Sequence, residues 1–162
     1  MATRVKTPSK DEAIREIMNH LRRIFKSIHE YSRQVLEGFG VTGPQLWLLR
    51  TLYEEEPLTL RKLSERMFLD PSTVHGVVDR LEERELLSRR RSHEDQRTVR
   101  ITLTARGKDL VRRAPLPAQG RLLHGLLSRP RSEVIRLHAA LGRLVEFMEV
   151  GDLKATFFFS DE

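Results

Sequence analysis

The chain has 162 residues, of which 39% are hydrophobic and 32% charged, and it carries a formal net charge of +6. That length suits one domain or a domain with an appendage, and the charge points to an acidic partner such as nucleic acid or an anionic surface, or simply to solubility. There is no cysteine, which excludes disulfides, thiol redox sensing and cysteine-ligated zinc, and no apolar run approaches the roughly 18 residues of a membrane span.

The opening segment MATRVKTPSKDE lacks the apolar core of a signal peptide, so a cytoplasmic location is expected. Ser9 and Glu12 then form a capping box. Ile14, Ile17, Met18, Leu21, Ile24, Phe25, Ile28, Tyr31 and Val35 follow at alternating three- and four-residue spacing. This predicts one long amphipathic helix over about 10–37, stopped by Gly38 and Gly40. Its apolar stripe is longer than one small domain can cover, so a partner helix, from a second subunit for instance, is expected.

Thr42 and Gln45 form a second box with Pro44 in the first turn, and a helix over about 43–54 places Leu46, Leu49, Leu52 and Tyr53 inward, with Trp47 beside them. Thr59 caps a short helix carrying Leu60, Leu63 and Met67. Asp70 as N-cap and Pro71 as first residue open another. Two short helices joined by a tight turn make a helix-turn-helix. The run LLSRRR, then SHEDQR, then TVRITLT, reads as two strands around a polar tip, with Val99, Ile101 and Leu103 alternating with Arg100 and Thr102. A hairpin at that place makes the module a winged helix. Thr104 caps a helix with Leu110 and Val111 that Pro115 and Pro117 should break near Arg113. Helix resumes with Leu122, Leu123, Leu126 and Leu127, and Pro130 starts a last helix ended by Gly151, before a tail containing Phe157, Phe158 and Phe159.

The helix after Asp70 has an unusual outer face. Val74, Val77, Val78 and Leu81 form the inner stripe; at about 100° per residue, Ser72, Gly76, Asp79 and Glu83 lie opposite, flanked by His75 and Arg80. Small residues at the front end suit a helix that enters the major groove of B-DNA, about 12 Å wide, because short side chains let the backbone approach base edges. Ser72, Thr73, His75, Gly76 and Arg80 are therefore the candidate recognition residues. From Arg80 to Arg113 eleven basic residues stand against six acidic ones. Arg89, Arg90 and Arg91 on one arm of the hairpin and Arg97 at its tip are candidates for phosphate or minor-groove contact, with Asp95 placed to orient Arg97. A solvated charged surface is the plainer account of such a run; its position beside a reading helix favours the functional one.

The stretch LSERMFLDPSTVHGVVDRLEERELLSRRRSHEDQRTVRITLTARG resembles the MarR family of transcription regulators, and the order of elements from about residue 10 to 149 matches. The resemblance implies a homodimer joined by helices from both chain ends, with two winged-helix lobes below. It implies a recognition helix in the major groove, with Ser72, Thr73, His75 and Gly76 at base-facing positions, and a wing arginine, Arg97, in the minor groove with Asp95 as its ionic partner. It also implies a small effector, often an aromatic or phenolic anion, that lowers DNA affinity by binding between the dimer region and the reading head. The family often has glycine where this chain has Phe68 and Glu85, which should shift a helix end by about a residue.

The expected architecture is mainly α with a small β-hairpin wing. Residues 1–40 and 105–162 should form the dimerisation region and 41–104 the DNA-binding lobe. The double-stranded target should be a pseudo-palindrome with half-sites about 10 bp apart, and the regulator is expected to be a repressor released by its ligand. Phe25, His29 and Trp47 are candidates for an aromatic pocket, with core packing as the competing account. Glu16 and His20 share a helix face but lack a second cluster, so no metal site is expected. No nucleophile elbow, phosphate loop or HExxH pattern appears, so neither an enzyme nor a cofactor is expected. The rival reading is a winged helix serving as a protein-binding or structural adaptor, which explains the bare helix front and arginine wing less well.

Overall fold

A computed structural model describes residues 7–91 and 97–153. Among these, seven helices and one hairpin follow in the order α1 (Lys10–Phe39), α2 (Gly43–Glu54), α3 (Leu60–Met67), α4 (Pro71–Glu83), β1 (Leu87–Arg91), β2 (Val99–Leu103), α5 (Ala105–Arg113), α6 (Ala118–Leu127) and α7 (Arg131–Phe147). The fold is thus mostly helical with a two-stranded antiparallel wing. No helix among the described residues is long and apolar enough to cross a membrane.

The helix boundaries follow from local chemistry. Ser9 with Glu12 and Thr42 with Gln45 make reciprocal capping boxes. Thr59 and Thr104 accept the amides of Lys62 and Gly107, satisfying donors that a helix start leaves open. Asp70 occupies the N-cap position of α4 without a side-chain cap bond, so Pro71, which has no amide hydrogen to satisfy, carries that start. Gly40 closes α1 in the left-handed region at φ 67°, its amide donating to the Leu36 carbonyl.

Phe68 and Glu85 also have positive φ, 54° and 58°. These two residues take the left-handed turn that a glycine would take without a Cβ penalty. The last helix differs from expectation: α7 stops at Phe147, with Glu149 in the left-handed region at φ 56°, ahead of Gly151.

The core lies between Tyr31 and Ala114 in sequence and is built around α2, which touches α1, α3, α4, α5, α6 and β2. Leu46, Leu48, Leu49 and Leu52 of α2 are fully enclosed, together with Leu63, Val78, Leu81, Leu86, Leu87 and Val111. Tyr53, expected inside, is exposed near the end of α2. Leu87 pairs with Leu103 and Arg91 with Val99 across the hairpin, and a bridge between Leu58 and Ile101 adds a short third edge. Pro115 and Pro117 separate α5 from α6, as their spacing predicts.

The arms outside this core are different. Helices α6 and α7 contain no buried residue, and in α1 only Tyr31 and Val35 are buried. Ile14, Ile17, Ile24 and Phe25 of α1 and Ile135, Leu141 and Val145 of α7 stand exposed.

Candidate nucleic-acid interface

Helix α4 buries Val74, Val77, Val78 and Leu81 and turns Ser72, His75, Gly76 and Arg80 to solvent, with Thr73 and Asp79 half-buried at the border. A Cβ placed on Gly76 would meet nothing within 4 Å. The missing side chain therefore serves no packing need within the chain, although glycine inside a helix costs about 0.5–1 kcal/mol relative to alanine. What it leaves is a shallow place on an exposed helix, bounded by Ser72, His75 and Arg80, where another molecule can come within van der Waals reach of the backbone.

The wing divides its arginines. Arg90 and Arg91 are exposed on β1, and Arg97 is exposed in the turn two residues ahead of β2. Arg89 does not project from the hairpin with them. Its Nη2 donates to Asp79 Oδ1 at 2.5 Å, its Nη1 donates to Glu82 Oε2 at 2.8 Å, and its backbone amide donates to Glu82 Oε1 at 3.0 Å. Arg89 thus fastens β1 to the last turns of α4. The hydrogen bond from Arg89, more than any other influence, holds the Asp79 carboxyl below the usual aspartate range, with the charge of Arg89 and the hydrogen bond from His75 adding to it. The expected Asp95–Arg97 pair lies partly outside the described residues, since Asp95 falls in the segment 92–96.

Asp79 and Glu82 were not singled out by the sequence as anchors of Arg89. The available signal was an acid on the outer face of a helix ten residues before an arginine, on a strand that must turn back along that helix.

A cavity of about 430 Å³ opens between α2 and α6, with walls from Trp47, Arg50, Leu116, Arg121, Leu123 and Leu127. Of the three aromatic candidates only Trp47 lines it. Phe25 and His29 are exposed on α1 and are not part of that wall. Arg50 Nη2 donates to the Ala114 carbonyl at 3.3 Å, while its buried Nε has no hydrogen-bond partner among the described residues. Glu16 and His20 approach at 3.9 Å, but no group of three or more side chains fit to hold a metal occurs among the described residues.

A helix-turn-helix whose second helix presents a bare outer face, followed by an arginine-bearing hairpin and framed by long helical arms, defines a winged-helix regulator. A sequence profile of the MarR family matches residues 41–99. The organic hydroperoxide resistance transcriptional regulator of Bacillus subtilis is 33% identical over 126 residues, covering 76% of this chain and 84% of that protein. The transcriptional regulator MgrA of Staphylococcus aureus is 31% identical over 115 residues, covering 71% of this chain and 77% of MgrA. The structure of a MarR family protein from Bacillus stearothermophilus superposes with a TM-score of 0.53 at 29% identity, covering 88% of this chain and 99% of that one. The chain belongs to the MarR family of transcription regulators.

Proposed function

We propose that this chain is a sequence-specific, dimeric DNA-binding repressor whose grip is relaxed by a small aromatic or phenolic anion. The observation that carries the DNA-reading role is Gly76, a helix-interior glycine with open space where its side chain would be, flanked by exposed polar groups short enough to meet base edges. Ser72, Thr73, His75, Gly76 and Arg80 would face the bases of a double-stranded, pseudo-palindromic site. Arg90, Arg91 and Arg97 would lie along phosphates and the adjacent minor groove. Arg89 would act on DNA only through the helix it holds.

The exposed aliphatic rows of α1 and α7 support association of two copies through the arms, because apolar rows of this length are rarely left in water. The cavity beside Trp47 carries Arg50, Arg66 and Arg121 against Glu54 and Glu55, an excess of positive charge that supports an effector apolar over most of its surface and negatively charged at one end. The B. subtilis relative is named for organic hydroperoxide resistance. This chain has no cysteine, so its signal would be bound non-covalently rather than written on a thiol.

The test is selection of genomic fragments by the purified full chain, followed by titration of a selected duplex over a range of salt, with and without phenolic acids. Binding that weakens steeply with salt is expected from phosphate contacts. Arg97→Ala should weaken all duplexes alike, and Ser72→Ala should change preference among them. A chain that ignores duplex DNA at low ionic strength, or that sediments as a monomer at micromolar concentration, would overturn the reading.

A further inference from the structure

His75 Nδ1 lies 2.9 Å from Asp79 Oδ2, one helical turn along α4. The other carboxylate oxygen, Oδ1, receives Arg89 Nη2, and Arg89 is itself aligned by Glu82. Both oxygens of Asp79 are therefore engaged, one from the wing and one from the imidazole. An ionised carboxylate can only accept hydrogen bonds, so the hydrogen between these groups belongs to His75 Nδ1. A neutral imidazole carries a single N–H, which leaves Nε2 as a lone-pair acceptor. The opposite tautomer would set the Nδ1 lone pair against a carboxylate. The His75 side chain is 56% exposed, and Gly76 beside it is open, so a partner can reach the ring.

We propose that His75 is the specificity-determining residue of α4 and that it reads a base pair as a hydrogen-bond acceptor through Nε2, with Asp79 and Arg89 as positioning residues. The proposal rests on the DNA-reading function given above. In the major groove the only hydrogen-bond donors are the exocyclic amines, N6 of adenine and N4 of cytosine; guanine N7 and O6 and thymine O4 are acceptors. An acceptor held at Nε2 selects adenine or cytosine on the strand it faces and is repelled by guanine or thymine there. Arg89 makes the choice durable. With Oδ1 pinned from β1, the Asp79 carboxylate keeps its second oxygen on Nδ1, so the ring cannot turn its acceptor edge away without breaking that charge-assisted hydrogen bond. The wing thus sets the chemical polarity of a side chain on the reading helix.

Two measurements test this. Long-range proton–nitrogen NMR of the free full-length protein at neutral pH, with His75 assigned through the exposed-site variant His75→Gln, should show a protonated Nδ1 and an unprotonated Nε2. A protonated Nε2, in either the other tautomer or the cation, overturns the proposal without reference to DNA. Selection from randomised duplexes should then show adenine or cytosine favoured over guanine or thymine at one position of each half-site, by about five- to tenfold for a single net hydrogen bond. His75→Ala should level that position, and Asp79→Asn, whose amide can donate or accept, should cut the preference to about twofold. A preference that survives Asp79→Asn unchanged overturns the positioning role. Failure of the unaltered chain to bind any duplex overturns the DNA-reading function itself, and with it this use of His75, whatever the NMR shows.

Discussion

Glu56 Oε2 accepts the backbone amide of Leu103 at 2.7 Å, across 47 positions of sequence, while Oε1 of the same carboxylate holds Lys108 Nζ at 2.5 Å. One side chain from the loop after α2 thereby ties the end of the return strand to the first turns of α5. The bridge between Leu58 and Ile101 lies beside it, so the loop fixes the base of the wing at two points. Glu56→Ala should leave the Leu103 amide without its acceptor and lower stability by about 2 kcal/mol, whereas Glu56→Gln keeps an acceptor and should cost about half that. Urea denaturation of the two variants measures the difference.

Phe68 and Glu85 take left-handed backbone conformations at φ 54° and 58°, each at the turn that follows a helix. Glycine at either position removes a Cβ clash while giving back some chain entropy, so Phe68→Gly and Glu85→Gly should each stabilise the fold by about 0.5–1 kcal/mol. The two sites flank opposite ends of α4, and thermal unfolding of the double variant should show the sum.

Two glycines separate packing from function. A Cβ on Gly107 would drive into the Leu86 backbone carbonyl, which also accepts the Thr104 amide at 3.2 Å. Gly107→Ala should therefore destabilise the fold by about 3 kcal/mol. A Cβ on Gly76 meets nothing, so Gly76→Ala should raise stability by about 0.5–1 kcal/mol through helix propensity while weakening duplex binding. Denaturation and mobility-shift titration on the same samples will show both effects; a Gly76→Ala variant that binds DNA as tightly as the parent would remove the reason offered for the bare helix face.

Burial raises the Tyr31 hydroxyl from 10.0 to about 12, against the opposing pull of Arg121 and Arg50, and the hydroxyl has no hydrogen-bond partner among the described residues. The folded chain holds that proton more tightly than the unfolded chain does. The resulting stability is complete below pH 10, declines between pH 10 and about 12, and is absent above. Tyr31→Phe should show none of this decline, and at neutral pH should match the parent to within about 0.5 kcal/mol, because no bond is lost. Stability of both proteins measured from pH 8 to about 12 by denaturant titration checks the sign.

Much of the fold was legible because its signals are local. The capping boxes at Ser9 and Thr42, the threonine caps at Thr59 and Thr104, and the proline pair after Arg113 each act within a turn or two of chain. The valine stripe of α4 is set by helical period alone. What the sequence left open depends on distant partners. Arg89 reads as one of three similar arginines until the strand is laid against α4 and finds Asp79 and Glu82. Tyr53 has the spacing of an inward residue, yet it stands exposed in the last turn of α2 beside the fully buried Leu52. Of Phe25, His29 and Trp47, only Trp47 lines the cavity that α6 closes, while the other two stand exposed on α1, a division that helical spacing alone does not reveal. Phe68 and Glu85 could be noticed as odd, yet only the backbone angles show that they bear the turn themselves.

The two prolines between α5 and α6 make the lobe's attachments unequal. Helix α1 runs unbroken for 30 residues and enters the core through Tyr31 and Val35, so it behaves as a stiff strut. The other attachment is jointed at Ala114–Pro117, where Pro115 and Pro117 supply no backbone donors. Helix α6 returns to the core beyond that joint through Ala118 and Leu123, so the wall over Trp47 and Arg50 is held in place by side-chain packing and not by continuity of helix.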